Sequence, residues 1–281
     1  MTTSRPAAPA PVPAASRRTR PLRPFGRRRG NRVSFWVGCA SILGGLLLWQ
    51  GATVVFHVNP LVLASPTQIA HAFAEMSSGG ELTGHLTTSL RQFAVGFVIA
   101  GALGVLTGLL MGQFRYVRYA TEPWVLALYA TPSIGLAPLF IIWLGFGFAA
   151  KAFIVVLMAF FPVAINTLSG VESLAREWKD VAASYKANAL ERFVKVALPG
   201  SLPYIFTGLR LAVGRGLVGI VVADFFGAQK GLGFLILQGA QQFRTADVFV
   251  GTILLAALGV VLTTFLRTVE RKVCPWRTDA S

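Results

Sequence analysis

Charged residues are scarce in this chain. Only 13% of its 281 residues are Asp, Glu, Lys or Arg, while 54% are apolar. Ordinary soluble domains carry roughly 25% charged residues. A soluble fold of this length would lack the charge to cover its surface. Together with a mean hydropathy of +0.62, this excludes most cytosolic enzymes and points to a polytopic membrane protein. Cysteine is nearly absent. Cys39 and Cys274 lie at opposite ends of the chain and suggest neither a disulfide framework nor a metal cluster. The three histidines, His57, His71 and His85, are each fourteen apart. That is not metal-ligand spacing, and no Cys or paired carboxylates flank them. No G-x-x-x-x-G-K-[ST] occurs, so the chain has no P-loop of its own. No H-E-x-x-H occurs, and no Ser or Cys nucleophile sits near a His with an orienting acid. Carboxylates within apolar runs, the usual mark of ion-coupled transport, reduce to Asp224.

What is present is a series of long apolar stretches. Six are long enough to cross roughly 30 Å of hydrocarbon: 33–56, 86–111, 124–146, 152–168, 203–225 and 248–266. Residues 1–32 hold nine arginines and no acid, diluted in Pro and Ala. They read as a disordered cytoplasmic tail that anchors orientation and touches anionic lipid headgroups. No DNA-reading module follows them, so no nucleic-acid partner is expected. With the N-terminus inside, inner segments hold twenty Lys and Arg and outer segments three, Lys151, Lys230 and Arg244. The positive-inside rule then puts both ends inside. The organisation expected is a tail over 1–32, a six-helix membrane domain over 33–270 with an inner loop at 171–200, and a short cytoplasmic tail over 271–281. The class is all-α integral membrane.

Small residues recur every fourth position in two spans: Gly96, Ala100, Gly104, Gly108 and Gly112 in the second, and Gly208, Ala212 and Gly216 in the fifth. Fourfold spacing puts each set on one helix face, where it lets neighbouring backbones approach. Pro132 and Pro138 remove backbone donors from the third span and should bend it, which suits either packing or a transport path. Arg210 and Arg215 lie five apart in the fifth span; snorkelling, pairing and attraction of an anion are all open to them.

The inner loop is the most informative segment. Val171, Leu174, Ala175, Trp178, Val181, Ala182 and Tyr185 follow the spacing of one helix face. A second short pattern, Ala189, Leu190, Phe193, Val194 and Ala197, is expected to stop at Leu198-Pro199. Two short amphipathic helices with an apolar stripe must bury that stripe against the spans, the bilayer or another protein.

This loop resembles the coupling loop of the permease subunits of bacterial ABC importers, whose pattern is E-A-A, three residues, G, nine residues, I, one residue, L-P. Anchoring on Leu198 and Pro199 puts Asp180, Val181 and Ala182 at the first triplet and Val196 at the Ile position. The Gly position is Lys186, so either Lys186 adopts a positive φ at some cost or the turn shifts, for instance onto Asn188. The segments Ala130–Gly147, Leu198–Arg210 and Val222–Phe234 are similar to the same family, in particular its nitrate, sulfonate and taurine branch, where Asp224 stands in a position that often holds Glu. The resemblance covers roughly residues 60–270.

The resemblance implies a type I importer permease fold and a non-enzymatic chain forming half of a pore. It implies a second permease copy, two cytoplasmic ATPase subunits that bind the ATP, and an extracytoplasmic substrate-binding protein. No cofactor of its own is expected. ATPase contact falls to Asp180, Val181, Ala182, Ala183, Lys186, Val196, Leu198 and Pro199. The path candidates are Pro132, Pro138, Arg210, Arg215 and Asp224. The rivals are a secondary carrier using Asp224 and an ion gradient, a membrane-embedded enzyme, and a scaffold using the basic tail. Importers of pyrimidine vitamin precursors and aromatic acids also belong to the branch.

Overall fold

The computed structural model describes residues 30–173, 188, 191 and 193–276. These divide into two units at Leu47–Leu48. The first unit holds most of helix α1 (Gly30–Val55), whose stretch Trp36–Val55 is long and apolar enough to cross a membrane. The second unit holds the rest. After α1 come α2 (Pro66–Ser78), α3 (Glu81–Gln113), α4 (Arg115–Ala130), α5 (Ala137–Leu144), α6 (Phe148–Glu172), α7 (Leu198–Phe225), α8 (Leu232–Gln241) and α9 (Thr245–Val273). Among the described residues there is no strand. Among the described residues five single helices are long and apolar enough to span a bilayer, and α4 with α5 makes a sixth span if that broken pair counts as one. The fold is the expected all-helical membrane bundle. The expected apolar segments all fall inside or close to these spans. The helices run past them because polar residues continue the helix beyond the hydrocarbon.

α6 lies at the centre. Ala150, Val155, Ala159, Val163 and Ala164 are wholly covered. The fourfold stripe of α3 lies along it: a Cβ added at Gly108 would stand 2.5 Å from the Thr167 Cβ and 2.6 Å from the Ala164 carbonyl, and one at Gly112 2.6 Å from the Val171 Cβ. Ala100 has no exposure. The stripe of α7 does the same on the next face. A Cβ at Gly208 would stand 3.0 Å from the Pro162 carbonyl, and one at Gly216 3.0 Å from the Phe93 ring. In lipid no hydrophobic force pulls helices together, so backbone approach of this kind supplies the association through dispersion.

The third span is more than bent. α4 ends at Ala130, Pro132 precedes a 3-10 turn over Ser133–Leu136, and α5 leaves at 88° to α4. Pro138 sits in the first turn of α5, where its missing N–H would have had no helical partner. The second proline thus starts a helix rather than bending one. The loop boundary also differs from expectation. Phe193–Ala197 form a π-helical turn that runs into α7 at Leu198, and Pro199 lies in the first turn of α7. Leu198-Pro199 therefore does not close a helix: Pro199 sits where the π turn passes into α7, and the helical path continues through it.

Two short helices escaped the sequence reading. α2 is entered through a capping box, with the Ser65 Oγ accepting from the Gln68 N–H and the Gln68 Oε1 accepting from the Ser65 N–H. Its Ile69, Ala72 and Met76 pack with Leu235 of α8 and Val250 of α9. The Ser65–Gln68 spacing was the available signal.

Gly108→Val should lower the yield and the thermal midpoint of the detergent-purified chain, because overpacking costs on the order of 1–3 kcal/mol or more where backbone blocks relief. Gly84→Ala, with open space around its Cβ position, should behave as the parent. Equal behaviour of the two variants in a melting experiment would remove the seam from the account of stability.

Candidate functional site

Three places bear on function. The first lies at the end of the bundle that carries the α5–α6 and α7–α8 turns. Asp224, in the last turn of α7, is fully buried. Its Oδ1 accepts from the Lys151 Nζ at 2.8 Å, and its Oδ2 from the Gly233 N–H at 3.2 Å. The Leu232 N–H donates to the Ser89 Oγ at 2.8 Å. The Nδ1 of His85 stands 3.1 Å from both the N–H and the C=O of Gly231, accepting from the first or donating to the second according to tautomer. The unpaired donors at the start of α8 are therefore met by side chains of α3 and α7, and the carboxylate suits the positive end of that helix. Gly231 has φ +139°, and a Cβ there would collide with the Asp224 carboxylate, so only Gly fits. At Gly227, φ +108°, a Cβ would lie 2.5 Å from the Phe146 ring, which brings the exit of α5 onto the same turn.

Lys151 corrects the sequence reading. It is not an outer loop charge but a residue of the first turn of α6, 7% exposed and paired with Asp224. Without it the Lys and Arg count is twenty against two, and the orientation it favours is unchanged. No spacing could reveal a pair 73 residues apart. His85 and Ser89, four apart on α3, carried a helical-face signal that the search for metal ligands passed over. Beside this network a cavity of about 370 Å³ is lined by residues that include Glu81, His85, Lys230, Gln238 and Arg244.

The second place is the broken span and the α7 face next to it. Pro132 is exposed at the break and Pro138 half-buried. Tyr129, one residue before the end of α4, accepts from the Arg215 Nη2 at 3.0 Å, and the guanidinium carbon lies 4.9 Å from the centre of its ring. Arg210 is placed otherwise: it donates to the Glu270 Oε2 of α9 at 2.8 Å and to Thr207 at 3.2 Å. The structure thus separates the two arginines. It places Asp224 in the buried network and Arg215 on an exposed face.

The third place is the loop. Asp180, Val181, Ala182, Ala183 and Lys186 lie outside the described residues. Val196 falls in the π turn and Leu198 and Pro199 at the start of α7, all half-buried. Asn188 and Glu191 form a reciprocal cap: the Glu191 N–H donates to the Asn188 Oδ1 at 2.8 Å and the Asn188 N–H to the Glu191 Oε2 at 3.1 Å. The Asn188 N–H, and secondarily Lys195, hold the Glu191 carboxyl below its usual range. Because the folded value is depressed, this cap contributes above the ordinary carboxylate range and fades as pH falls through the folded value.

A family model described as "binding-protein-dependent transport system inner membrane component" matches residues 101–274. The chain is 35% identical over 232 residues to the putative aliphatic sulfonates transport permease protein SsuC of Bacillus subtilis, covering 83% of this chain and 84% of that one. It is 32% identical over 232 residues to the formylaminopyrimidine transport permease protein ThiX of Halalkalibacterium halodurans, covering 83% and 92%. With the taurine transport system permease protein TauC of Escherichia coli it shares 29% identity over 250 residues, covering 87% and 90%.

Asp224→Ala would strand Lys151 in the bundle and strip the cap of α8, at about 3–5 kcal/mol. Asp224→Asn combined with Lys151→Met keeps an acceptor for Gly233 without a stranded charge and should cost clearly less. Thermal unfolding in detergent compares them; equal losses would mean that the pair carries no charge-specific role.

Proposed function

Because this chain belongs to the binding-protein-dependent transport system inner membrane components, and is an ABC transporter permease subunit of the sulfonate and taurine branch, we propose that two copies form the path of an ATP-driven importer. The solute is a small sulfonate- or taurine-like anion, delivered by an extracytoplasmic binding protein. The chain is a multi-pass inner-membrane protein, and both termini are cytoplasmic on this reading. Likeness to the sulfonate and taurine permeases over more than four fifths of the chain carries the substrate class. The likeness to ThiX supports a formylaminopyrimidine as the second reading.

Two ATPase subunits dock on the loop, with Asp180, Val181, Ala182, Ala183, Lys186, Val196, Leu198 and Pro199 as the contact. The run from the π turn at Phe193–Ala197 directly into α7 supports this role, because Val196, Leu198 and Pro199 are then part of the same helical path as the span. Nucleotide-driven closure of the ATPase pair then shifts the bundle between two states, by no more than its differential affinity for them. The binding protein meets the opposite end, where the polar cavity beside α8 opens. Anionic lipids meet the basic tail. Asp224 is committed to Lys151 and to the start of α8, which argues against a carrier that protonates and releases it.

Mild-detergent purification of the tagged chain from its own membranes should recover a P-loop ATPase at one copy per permease. Recovery of a clean oligomer without ATPase would sink the importer reading. Ala182→Arg should insert normally, abolish uptake and leave ATP hydrolysis uncoupled from it. Normal uptake by this variant would remove the loop contact.

A further inference from the structure

We propose that Arg215, held by Tyr129, is an anion-binding group of the translocation path and takes the oxyanion head of a sulfonate-class solute. This rests on the reading that the chain forms half of such a path. Lys151 and Arg210 each face a carboxylate at 2.8 Å. Among the described residues no carboxylate lies within ion-pair distance of Arg215. Arg215 is also deep: it lies ten residues before the end of α7, roughly 15 Å along the axis. Arg91, on α3, is nearer the rim. Gly96, five residues further on, packs on Ala152 and Val155, which puts Arg91 level with the first turn of α6.

The face that carries Arg215 is exposed, with Leu211 and Val218 beside it. The opposite face of α7, with Ala212, Val213 and Ile220, is buried. A guanidinium directed from mid-helix into hydrocarbon costs at least about 2.5–3.5 kcal/mol. Such a charge belongs on a face that opens to water. Tyr129 marks the same spot from the other side, because it stands just ahead of the 88° break. Broken helices within the bilayer are tolerated where they line a cavity, and there they carry solute sites. Its ring lies beneath the guanidinium and its Oη accepts one of five N–H donors. The remaining donors form a planar fork that matches two oxygens of a sulfonate, sulfate or carboxylate. Tyr129 therefore orients the cation without neutralising it.

The test places a cysteine one turn along the same face, Val218→Cys, in native membranes carrying the full chain. Modification of the introduced thiol by anionic 2-sulfonatoethyl methanethiosulfonate is compared with that by the cationic trimethylammonium analogue. Peptide mass reads the label on the α7 peptide itself, so that the native thiols do not interfere. Adding Arg215→Gln should lower the anion-to-cation rate ratio about tenfold, as loss of one charge several ångströms away requires in a watery site. Arg215→Lys should retain most of the ratio. Ethanesulfonate should slow the labelling only where the cation is kept. An unchanged ratio, or an introduced thiol that reacts with neither reagent, overturns the proposal. The readout needs neither ATP nor uptake, so failure of the importer reading shows separately, as a missing ATPase in the purification.

Discussion

Everything in this fold depends on how closely α3 and α7 can approach α6. In lipid, apolar side chains gain nothing by leaving their surroundings, so the bundle is held by contact density rather than by expulsion from water. Gly96, Gly104, Gly108 and Gly112 let the α3 backbone lie against Val155, Val163, Thr167 and Val171. Gly208, Ala212 and Gly216 do the same for α7. Once these seams are set, the remaining faces of the helices have no freedom. The Leu211–Arg215–Val218 face of α7 is left exposed because the opposite face is spent on α6 and α3, and the broken third span meets it through Tyr129.

Two ion pairs stand out inside the bundle. Lys151 with Asp224, and Arg210 with Glu270, each join two helices. The first pair does more, since the same carboxylate caps α8 while His85 and Ser89 meet the neighbouring donors. α8 is only ten residues long and cannot satisfy its own first turn. Its position is therefore dictated by α3 and α7, and the exit of α5 is fastened to the same turn through Phe146 and Gly227. The segment that breaks and the segment that folds back are thus tied at one end of the bundle. The loop joins at the other end, through the π turn that runs into α7.

Much of this was legible beforehand. Apolar length located the candidate spans, fourfold spacing of small residues identified the seams, and Pro132 marked the break. The errors have physical reasons. Lys151 was read as a loop charge because its partner is 73 residues away and hydropathy windows cannot see a pair. Leu198-Pro199 was read as a stop, because a proline that ends one helix and a proline in the first turn of the next look alike in sequence. α2 and α8 are too short to register as spans. His85 was judged only as a metal ligand, although its spacing from Ser89 already put both on one face of α3.

The sequence by itself determined that the chain lives in a membrane, where its candidate spans lie, which helix faces can touch, and which family it resembles. These follow from transfer energies and helical periodicity, which are local quantities. The tertiary structure decided which charges neutralise one another. Arg210 and Arg215 are the same residue type five positions apart on one helix, yet among the described residues one meets Glu270 and the other Tyr129. Nothing local distinguishes them: five residues turn a helix by more than a full revolution, and the neighbour each arginine meets belongs to a different part of the chain.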